Sequence, residues 1–246
     1  MPLGRCAACA QFGAVDAGAL AHDPDYLSLE EAATVPLTAL TAMQSFELMD
    51  VKPGQTVFIS GGTGSLGAMA IPVAKSLGLT VATNGNGENE ERVRALGADI
   101  FIDYKKQSYA DVLSEVDLVL DTLGDRELPT EFKILKEGSR LVSLRGMPNG
   151  RFARRMGLPW YKRFLLSLAG RKYDAMAARK KQTYDFIFVH EDGAQLENIA
   201  SLFPAERPLT ASIDATFTLD QINEALAKVR AGGSQGKTIV RIGDFQ

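Results

Sequence analysis

The chain has 246 residues and a mass of 26.6 kDa, and it is 46% hydrophobic and 23% charged. That composition allows one large α/β domain or two modest ones and excludes a disordered or collagen-like protein. With 27 basic and 30 acidic residues the net charge is −3, so the overall charge predicts no nucleic-acid partner. No apolar run approaches the roughly 20 residues that cross a bilayer, and we expect no stable membrane insertion. The stretch 6–15 is too short for a secretion signal, and we expect a cytoplasmic protein.

Cys6 and Cys9, the only cysteines, form a C-x-x-C pair near the start of the chain. Such a pair can supply half of a zinc site or a redox couple. Because no second pair and no nearby histidine accompanies it, we favour two incidental thiols. His22 and His190 are the only histidines, and we predict no metal site.

From residue 57 onward, short apolar runs alternate with amphipathic stretches. The runs predict six strands, at residues 57–60, 80–83, 100–102, 118–121, 140–144 and 184–189. Helices are predicted between the first five strands, at about 65–77, 88–96, 108–114 and 127–136. This alternation is typical of βαβ units, so we predict the α/β class and a Rossmann-type, doubly wound parallel sheet of about six strands.

A basic helical insert at 151–181 separates the fifth and sixth strands. It holds ten Lys and Arg residues against one acid, Asp174, so its charge is +9 and the rest of the chain carries −12. Large apolar residues alternate with these cations, at Trp160, Tyr161, Phe164, Leu165 and Leu168. The pattern fits a helix on an anionic membrane or on nucleic acid. We favour a third interpretation, a helical lid or dimer interface.

After a helix at about 192–203, the pattern predicts a strand at 211–217, a helix at 219–231 and a strand at 238–242. These two strands belong to a sheet other than the first. Without their remaining neighbours they would expose unpaired edges and apolar surface, and we therefore expect a homodimer.

The segment 57–67 carries G-x-G-x-x-G as Gly62, Gly64 and Gly67, after the first strand and into a helix. This is the context of a dinucleotide-binding loop. Gly62 is expected to allow the tight turn, Gly64 to leave room for a pyrophosphate, and Gly67 to let the helix pack close to the strand. The helix N-terminus would attract the anion.

The end of the second strand selects the cofactor. A NAD site usually has Asp or Glu there, whereas this chain reads Thr-Asn-Gly-Asn-Gly at 83–87. Arg92 and Arg94 begin the next helix and either reach a 2′-phosphate or form a solvated helix face. We therefore favour NADP(H). NAD(H) stays possible, because Glu88 or Glu90 can be a displaced ribose-binding acid.

Several segments together resemble the zinc-independent, quinone oxidoreductase-like group of the medium-chain dehydrogenase/reductases. They are residues 32–42, 52–57, the glycine loop, 95–99, 102–104 and the pair Gly236-Lys237. The resemblance covers about residues 20–246. It implies an NADPH-dependent reductase that transfers hydride to a quinone, an enone or a related activated alkene. The family's N-terminal GroES-like domain would be mostly missing. Its remnants would be residues 1–36 and 204–246, around a dinucleotide-binding domain at 37–203.

The same resemblance implies the roles of individual residues in cofactor binding. Thr41 would lie by the nicotinamide and Tyr104 by the adenosine, and Asn84 and Arg92 at the adenosine-phosphate end. The pyrophosphate loop would be Gly62, Thr63, Gly64, Ser65, Leu66 and Gly67, and the ribose and nicotinamide would lie near Leu123, Leu144, Gly146, Phe186 and Phe188. Lys237 matches the family's terminal lysine. A plain buried strand explains the two phenylalanines equally well, and a surface position explains Lys237. We assign no catalytic acid, and the alternative is a non-catalytic NADP-binding module or an inactive truncated paralogue.

Overall fold

A computed structural model describes residues 13–206, 208–209, 211–232 and 235–243. Cys6 and Cys9 lie outside these residues. The chain divides into two compact units, Thr41–Val189 and a second unit formed by residues up to Leu40 together with those from His190 onward. The predicted domain limits at 36/37 and 203/204 stay predictions.

The first unit is built on a six-stranded, fully parallel sheet. Its strands are β1 Thr56–Ile59, β2 Thr80–Gly85, β3 Ile100–Asp103, β4 Val116–Asp121, β5 Leu135–Ser143 and β6 Thr183–Phe186, in the order β3-β2-β1-β4-β5-β6. The helices of this unit are α2 Ser65–Ser76, α3 Glu90–Ala95, α4 Tyr109–Val112, α5 Leu128–Ile134, α6 Gly150–Arg155, α7 Trp160–Ala169 and α8 Arg171–Ala178. The predicted α/β class and doubly wound sheet are confirmed.

Burial on both faces explains why apolar runs mark the central strands. Val57, Phe58 and Ile59 of β1 are fully buried. The Phe58 ring stacks on Tyr109 with the ring centroids 4.7 Å apart, which anchors α4 against the sheet. The order of the strands reverses between β1 and β4, and in this fold ligands bind at the carboxyl ends of strands at such a switch point.

Two predicted boundaries on this sheet are wrong. β5 begins at Leu135, because Leu135 pairs with Val116 of β4, so the helix predicted to reach 136 ends at Ile134. β6 ends at Phe186 and not at 189. Its partner β5 ends at Ser143, which pairs with Phe186 and whose carbonyl oxygen accepts a last hydrogen bond from the Ile187 N–H at 3.1 Å. Phe188 therefore lies outside the sheet and is 60% exposed.

The second unit contains α9 Gly193–Ser201, β7 Ile213–Thr218, α10 Ile222–Ala231 and β8 Lys237–Arg241. β7 and β8 pair in parallel as a separate two-stranded sheet, as predicted. An apolar cavity of about 250 Å³ lies in this unit, lined among others by Tyr26, Leu29, Val35, Leu196 and Ile199.

Helix α1, Leu29–Met49, was not predicted from the sequence, which suggested only a linker up to residue 36. It carries Pro36 inside it. The hydroxyl of Thr38 donates to the Thr34 and Val35 carbonyls, within the same turn. From Thr41 onward, α1 belongs to the first unit. Within the described ranges no helix is both long and apolar enough to span a bilayer.

Candidate active site

The glycine loop leaves β1 at the switch point of the sheet and enters α2 at Ser65. The three glycines of the motif differ in how much room surrounds them. A Cβ on Gly62 would lie 2.1 Å from Thr83 Oγ1, and a Cβ on Gly67 would lie 2.4 Å from the Gly62 Cα. A Cβ on Gly64 would come no closer than 3.5 Å, to the Gly61 carbonyl oxygen. Gly62 and Gly67 are therefore required by packing, whereas Gly64 faces open space.

The tight turn itself belongs to a neighbouring glycine. Gly61 has a φ of +72°, a conformation that favours glycine, whereas the φ of Gly62 is not positive. Gly62 lies within the same turn, but the residue whose backbone conformation requires glycine is Gly61. Gly62 is needed because the loop passes directly over Thr83 of β2. The expected close approach of helix to loop at Gly67 matches the geometry.

The N-terminus of α2 is bare. Its N-cap residue is Gly64, and no side chain in the described part of the chain caps it. The first N–H groups of a helix lack partners within the helix, and the helix dipole adds positive potential there. Such an end, beside a glycine that leaves space, fits the pyrophosphate of a dinucleotide.

Asn84, at the end of β2, holds the glycine loop in place through hydrogen bonds to its backbone. It is buried, its Oδ1 accepts a hydrogen bond from the Gly61 N–H at 2.8 Å, and its backbone oxygen accepts one from the Gly62 N–H at 3.1 Å. The side chain predicted to lie at the adenosine-phosphate end thus binds the loop backbone. Asn84 shapes the site from within the protein.

Arg92 is the predicted cation that reaches the loop. Its Nη2 donates to the Thr63 carbonyl oxygen at 2.7 Å, so the guanidinium lies against the glycine loop. Arg94 instead pairs with Glu90 along α3, with Nε and Oε1 2.8 Å apart. This exposed pair matches the interpretation of Arg94 as part of a solvated helix face. The carboxylate of Glu90 is engaged in the same ion pair.

Glu88, the other candidate for a ribose-binding acid, lies just after the end of β2. It is exposed and accepts a hydrogen bond from Asn86 Nδ2 at 2.9 Å. Lys105, beyond the end of β3, has its Nζ 3.9 Å from Glu88 Oε1. Tyr104, expected beside the adenosine, is exposed at the same edge of the sheet, where its N–H donates to the Gly85 carbonyl oxygen at 3.2 Å. Asp103 ends β3 beside Gly85, its carboxylate lies against Gly87, and Lys106 Nζ is 3.4 Å from its Oδ2. Among the described residues, two acids, Glu88 and Asp103, and three cations, Arg92, Lys105 and Lys106, therefore lie at this end of the site.

A buried polar network supports the loops that follow β1, β4 and β5. Asp121 Oδ1 accepts hydrogen bonds from the N–H groups of Leu123 and Gly124 at 2.8 and 2.7 Å, and Oδ2 accepts one from the Ser143 hydroxyl at 2.5 Å. The Ser60 hydroxyl accepts one from the Thr122 N–H at 2.9 Å. These bonds set the backbone around the switch point before any ligand binds.

The remaining predicted residues fall into two groups. Leu123, Leu144, Gly146 and Phe186 lie at the carboxyl ends of β4, β5 and β6, and Phe188 follows shortly after, so parallel pairing brings them to the edge that carries the glycine loop. Gly146 also has a packing reason, since a Cβ there would lie 2.4 Å from the Tyr184 hydroxyl.

Thr41 and Lys237 lie elsewhere in the chain. Thr41 is buried on α1, and its carbonyl oxygen accepts a hydrogen bond from the Ser45 hydroxyl at 2.6 Å. Lys237 lies in the second unit at the start of β8, where burial lowers the pKa of its ammonium group.

Residues 96–240, more than half of the chain, match a family model described as zinc-binding dehydrogenase. The chain belongs to this family. The predicted resemblance to the medium-chain dehydrogenase/reductases is thereby confirmed. No group of three or more His, Cys, Asp or Glu side chains is placed to hold a metal ion in the described portion of this dehydrogenase-family chain.

Relatives of this dehydrogenase-family chain include named oxidoreductases. The mitochondrial NAD(P)H oxidoreductase RTN4IP1 of Danio rerio is 29% identical over 247 residues, which cover 96% of this chain and 63% of that protein. The chloroplastic NADPH-dependent alkenal/one oxidoreductase of Arabidopsis thaliana is 32% identical over 139 residues, or 56% of this chain and 36% of that protein. The quinone oxidoreductase from Coxiella burnetii superposes with a TM-score of 0.74 at 25% identity, covering 89% of this chain and 63% of that one. The chain thus spans less than two thirds of each.

One buried carboxyl group near the site was not singled out by the sequence analysis. Glu131 of α5 is 0% exposed, and no group among the described residues donates a hydrogen bond to either of its oxygens. Burial, and then the charge of Asp121, raise the pKa of Glu131 well above its usual value. The neutral form of this carboxyl group is therefore favoured. A glutamate in an amphipathic helix normally faces solvent, so only the packing of α5 reveals it.

Proposed function

We propose that this protein is an NADPH-dependent oxidoreductase that transfers hydride to a quinone, an enone or a related activated carbonyl or alkene. The observation that carries the proposal is the open cradle at Gly64, beside the bare N-terminus of α2 and with Arg92 against the loop. The names of the relatives, an alkenal/one oxidoreductase and a quinone oxidoreductase, support the class of acceptor.

The residues present fit a dinucleotide. The N–H groups of Ser65 and Leu66 would bind the pyrophosphate where Gly64 leaves room, and Arg92 would neutralise the adenosine phosphate. Thr41, Leu123, Leu144, Gly146, Phe186 and Phe188 would surround the nicotinamide end. When bound, the nicotinamide supplies the hydride. The role of the chain is to fix the position of the cofactor and the acceptor and to exclude water between them. We propose no catalytic acid from this chain.

NADPH is proposed over NADH because β2 ends on Asn84 and Gly85 without a carboxylate, while Arg92 and Lys105 lie at that end. The substitution Arg92→Gln tests this. If Arg92 contacts the 2′-phosphate, NADPH binding weakens by at least about tenfold, or about 1.4 kcal/mol, while NADH binding changes little. If Arg92 only supports the Thr63 carbonyl, both cofactors lose affinity equally, and the proposed preference is wrong.

The cradle is tested by adding one methyl group. Gly64→Ala places a Cβ where only the Gly61 oxygen lies within contact distance, so the fold tolerates it, but the methyl occupies the space proposed for the pyrophosphate. NADPH titration by fluorescence is expected to show at least about a tenfold loss of affinity. Gly13→Ala, at another glycine whose Cβ meets nothing within 4 Å among the described residues, is the matched control. Unchanged binding by Gly64→Ala would contradict the proposed site.

The alternative is a module that binds NADP without catalysis, and one assay separates the two. Purified protein is titrated with NADPH and NADH, and NADPH oxidation is then followed with a quinone or an enone present. Binding with turnover supports the reductase, and binding without turnover supports the module. The cytoplasmic location and the homodimer expected from the sequence also stay proposals, and light scattering tests the homodimer.

A further inference from the structure

Helix α7 turns an apolar face to solvent. The structure describes all ten of its residues, and none of them is buried. Trp160 is 80% exposed and Phe164 66%, and Tyr161, Leu165 and Leu168 are exposed as well. Soluble proteins seldom expose a contiguous apolar patch of this kind without a partner for it.

The geometry of the helix shows that the exposed face is the apolar one. At 3.6 residues per turn, the five large side chains fall within about 140° of the helix circumference. Leu166, the one residue of α7 that is not exposed, points to the opposite side, and it is only half-buried. The apolar stripe, formed by Trp160, Tyr161, Phe164, Leu165 and Leu168, therefore does not pack on the described residues as a lid would. The lid was one of the two roles favoured from the sequence, beside the dimer interface.

The surroundings of the stripe are cationic. Lys162 on α7 and Arg171 and Lys172 on α8 are exposed. The single acid of the insert, Asp174, is half-buried and accepts a hydrogen bond from Asn149 Nδ2 at 2.7 Å. Arg151 and Arg155 pair with Asp185, and Lys181 pairs with Glu137. After these pairings the exposed surface of the insert still carries an excess of positive charge.

We propose that the insert docks on an anionic membrane surface, with α7 lying in the plane of the interface. Trp, Tyr, Phe and Leu side chains enter the boundary between headgroups and acyl chains, and Lys and Arg extend their charged ends to the lipid phosphates. At ten residues α7 is about 15 Å long, about half of what crossing a bilayer requires, so it lies on the surface and does not span it.

Charge and apolar area together favour this partner over two others. A second copy joined by a two-fold axis would place the same cationic surface against itself, which costs electrostatic energy. Nucleic acid would neutralise the cations but leave the aliphatic side chains of the stripe in water. Docking needs neither cofactor nor acceptor, so it stands or falls separately from the proposed reductase activity.

Trp160 is the only tryptophan of the chain, and it reports directly on the stripe. The intact protein is mixed at low salt with vesicles of phosphatidylcholine alone, or with phosphatidylglycerol added. We expect Trp160 emission to shift to the blue and to be quenched by brominated acyl chains only on the anionic vesicles. Co-sedimentation should follow the same order and decline with added salt.

Two double variants separate the apolar contribution to vesicle binding from the electrostatic one. Phe164→Ser with Leu165→Ser should abolish the blue shift. Lys162→Gln with Lys172→Gln should weaken partitioning by about thirtyfold, from the usual contribution of a cation near an anionic surface. The matched control for the first variant is Val112→Ser, at an exposed apolar residue of α4, and Lys52→Gln is the control for the second. Circular dichroism confirms that each variant is folded.

Several outcomes would overturn the proposal. These are no binding to anionic vesicles at low salt, equal binding to both vesicle types, or a loss of binding by the controls as large as that by the insert variants. Light scattering completes the test. A dimer that Phe164→Ser with Leu165→Ser dissociates, in a protein that ignores vesicles, would assign the stripe to a second copy.

Discussion

The glycine loop and helix α7 belong to the same unit but are organised in opposite ways. Around the loop, backbone groups are held by buried side chains such as Asn84 and Asp121, and a methyl group added at Gly62 or Gly67 meets atoms at 2.1 or 2.4 Å. In α7 the large side chains point away from the protein and touch little of it.

The difference separates two ways of preparing a binding surface. The loop is preorganised, since its shape is fixed by contacts that exist before a ligand arrives, and the ordering cost is part of folding. The stripe on α7 adds little to folding and keeps its apolar area for a partner. Substitutions around the loop should therefore change stability, and substitutions on the stripe should change only binding.

The largest effect is expected for Asp121→Ala. The change removes the acceptor for the Leu123 and Gly124 N–H groups and for the Ser143 hydroxyl, and leaves these donors buried. The free energy of unfolding, measured in urea, should fall by about 3 kcal/mol or more. Asp111→Ala on the exposed face of α4 is the control and should stay within about 0.5 kcal/mol of the parent. Equal unfolding midpoints for the two variants would show that the Asp121 network does not stabilise the region around the loop.

Gly67→Ala tests the packing of α2 on the loop. Its methyl group would lie 2.5 Å from the Gly61 carbonyl oxygen as well as against Gly62, so either the helix or the loop must move. We expect a loss of about 1 to 3 kcal/mol in thermal or urea unfolding. Gly64→Ala is the matched variant three residues earlier, and it should cost less than about 1 kcal/mol. Equal losses from the two would mean that the loop is not fixed where the glycines indicate.

Glu131 lies near the buried network around the glycine loop, yet its own burial lowers the stability of the fold. Replacing it by Met removes two buried oxygens that accept no hydrogen bond from the described residues, and should stabilise the protein by about 1 kcal/mol. Destabilisation by Glu131→Met would show that its carboxyl group has a partner that matters, and that the region beneath the loop is fully satisfied.

The pH dependence of Glu131 follows from its raised pKa. Because the folded state binds the proton more tightly than the unfolded chain, the contribution of Glu131 to stability is greatest below the usual pKa of 4.5. It falls as the pH rises from there to the folded pKa. The neutral variant Glu131→Gln should therefore gain stability relative to the parent when both are measured from pH 4.5 up to neutral pH. A constant difference across this range would show that the folded pKa is not raised.

Most of the six-stranded sheet and the position of the glycine loop could be predicted from the sequence. Fully buried parallel strands are continuous apolar runs, and the loop carries its glycines at fixed spacing. The errors have physical causes. Lys136 was assigned to the end of the predicted helix, and Glu137 and Gly138 to the connection that follows it, but all three continue β5 from Leu135. Proline in a helix interior usually kinks or ends the helix, yet α1 continues through Pro36.

The site was predicted less completely than the fold. Spacing indicates that Gly62, Gly64 and Gly67 form the loop, but it does not show that Gly61 makes the turn or that Asn84 binds the loop backbone. The Asp121 network joins residues from three strands far apart in the chain, and no local pattern encodes it. Such contacts depend on tertiary packing, which residue types and periodicity do not specify.

The smallest effect is expected on the stripe itself. Phe164→Ser removes a ring that is mostly in water, so the free energy of unfolding should change by less than about 0.5 kcal/mol. The informative control lies in the same helix, because Leu166 points toward the protein and is half-buried. Leu166→Ser should cost about 1 kcal/mol or more in urea unfolding. If Phe164→Ser were the more costly of the two, the stripe would already be packed in the folded chain, and α7 would belong with the loop as a structural element.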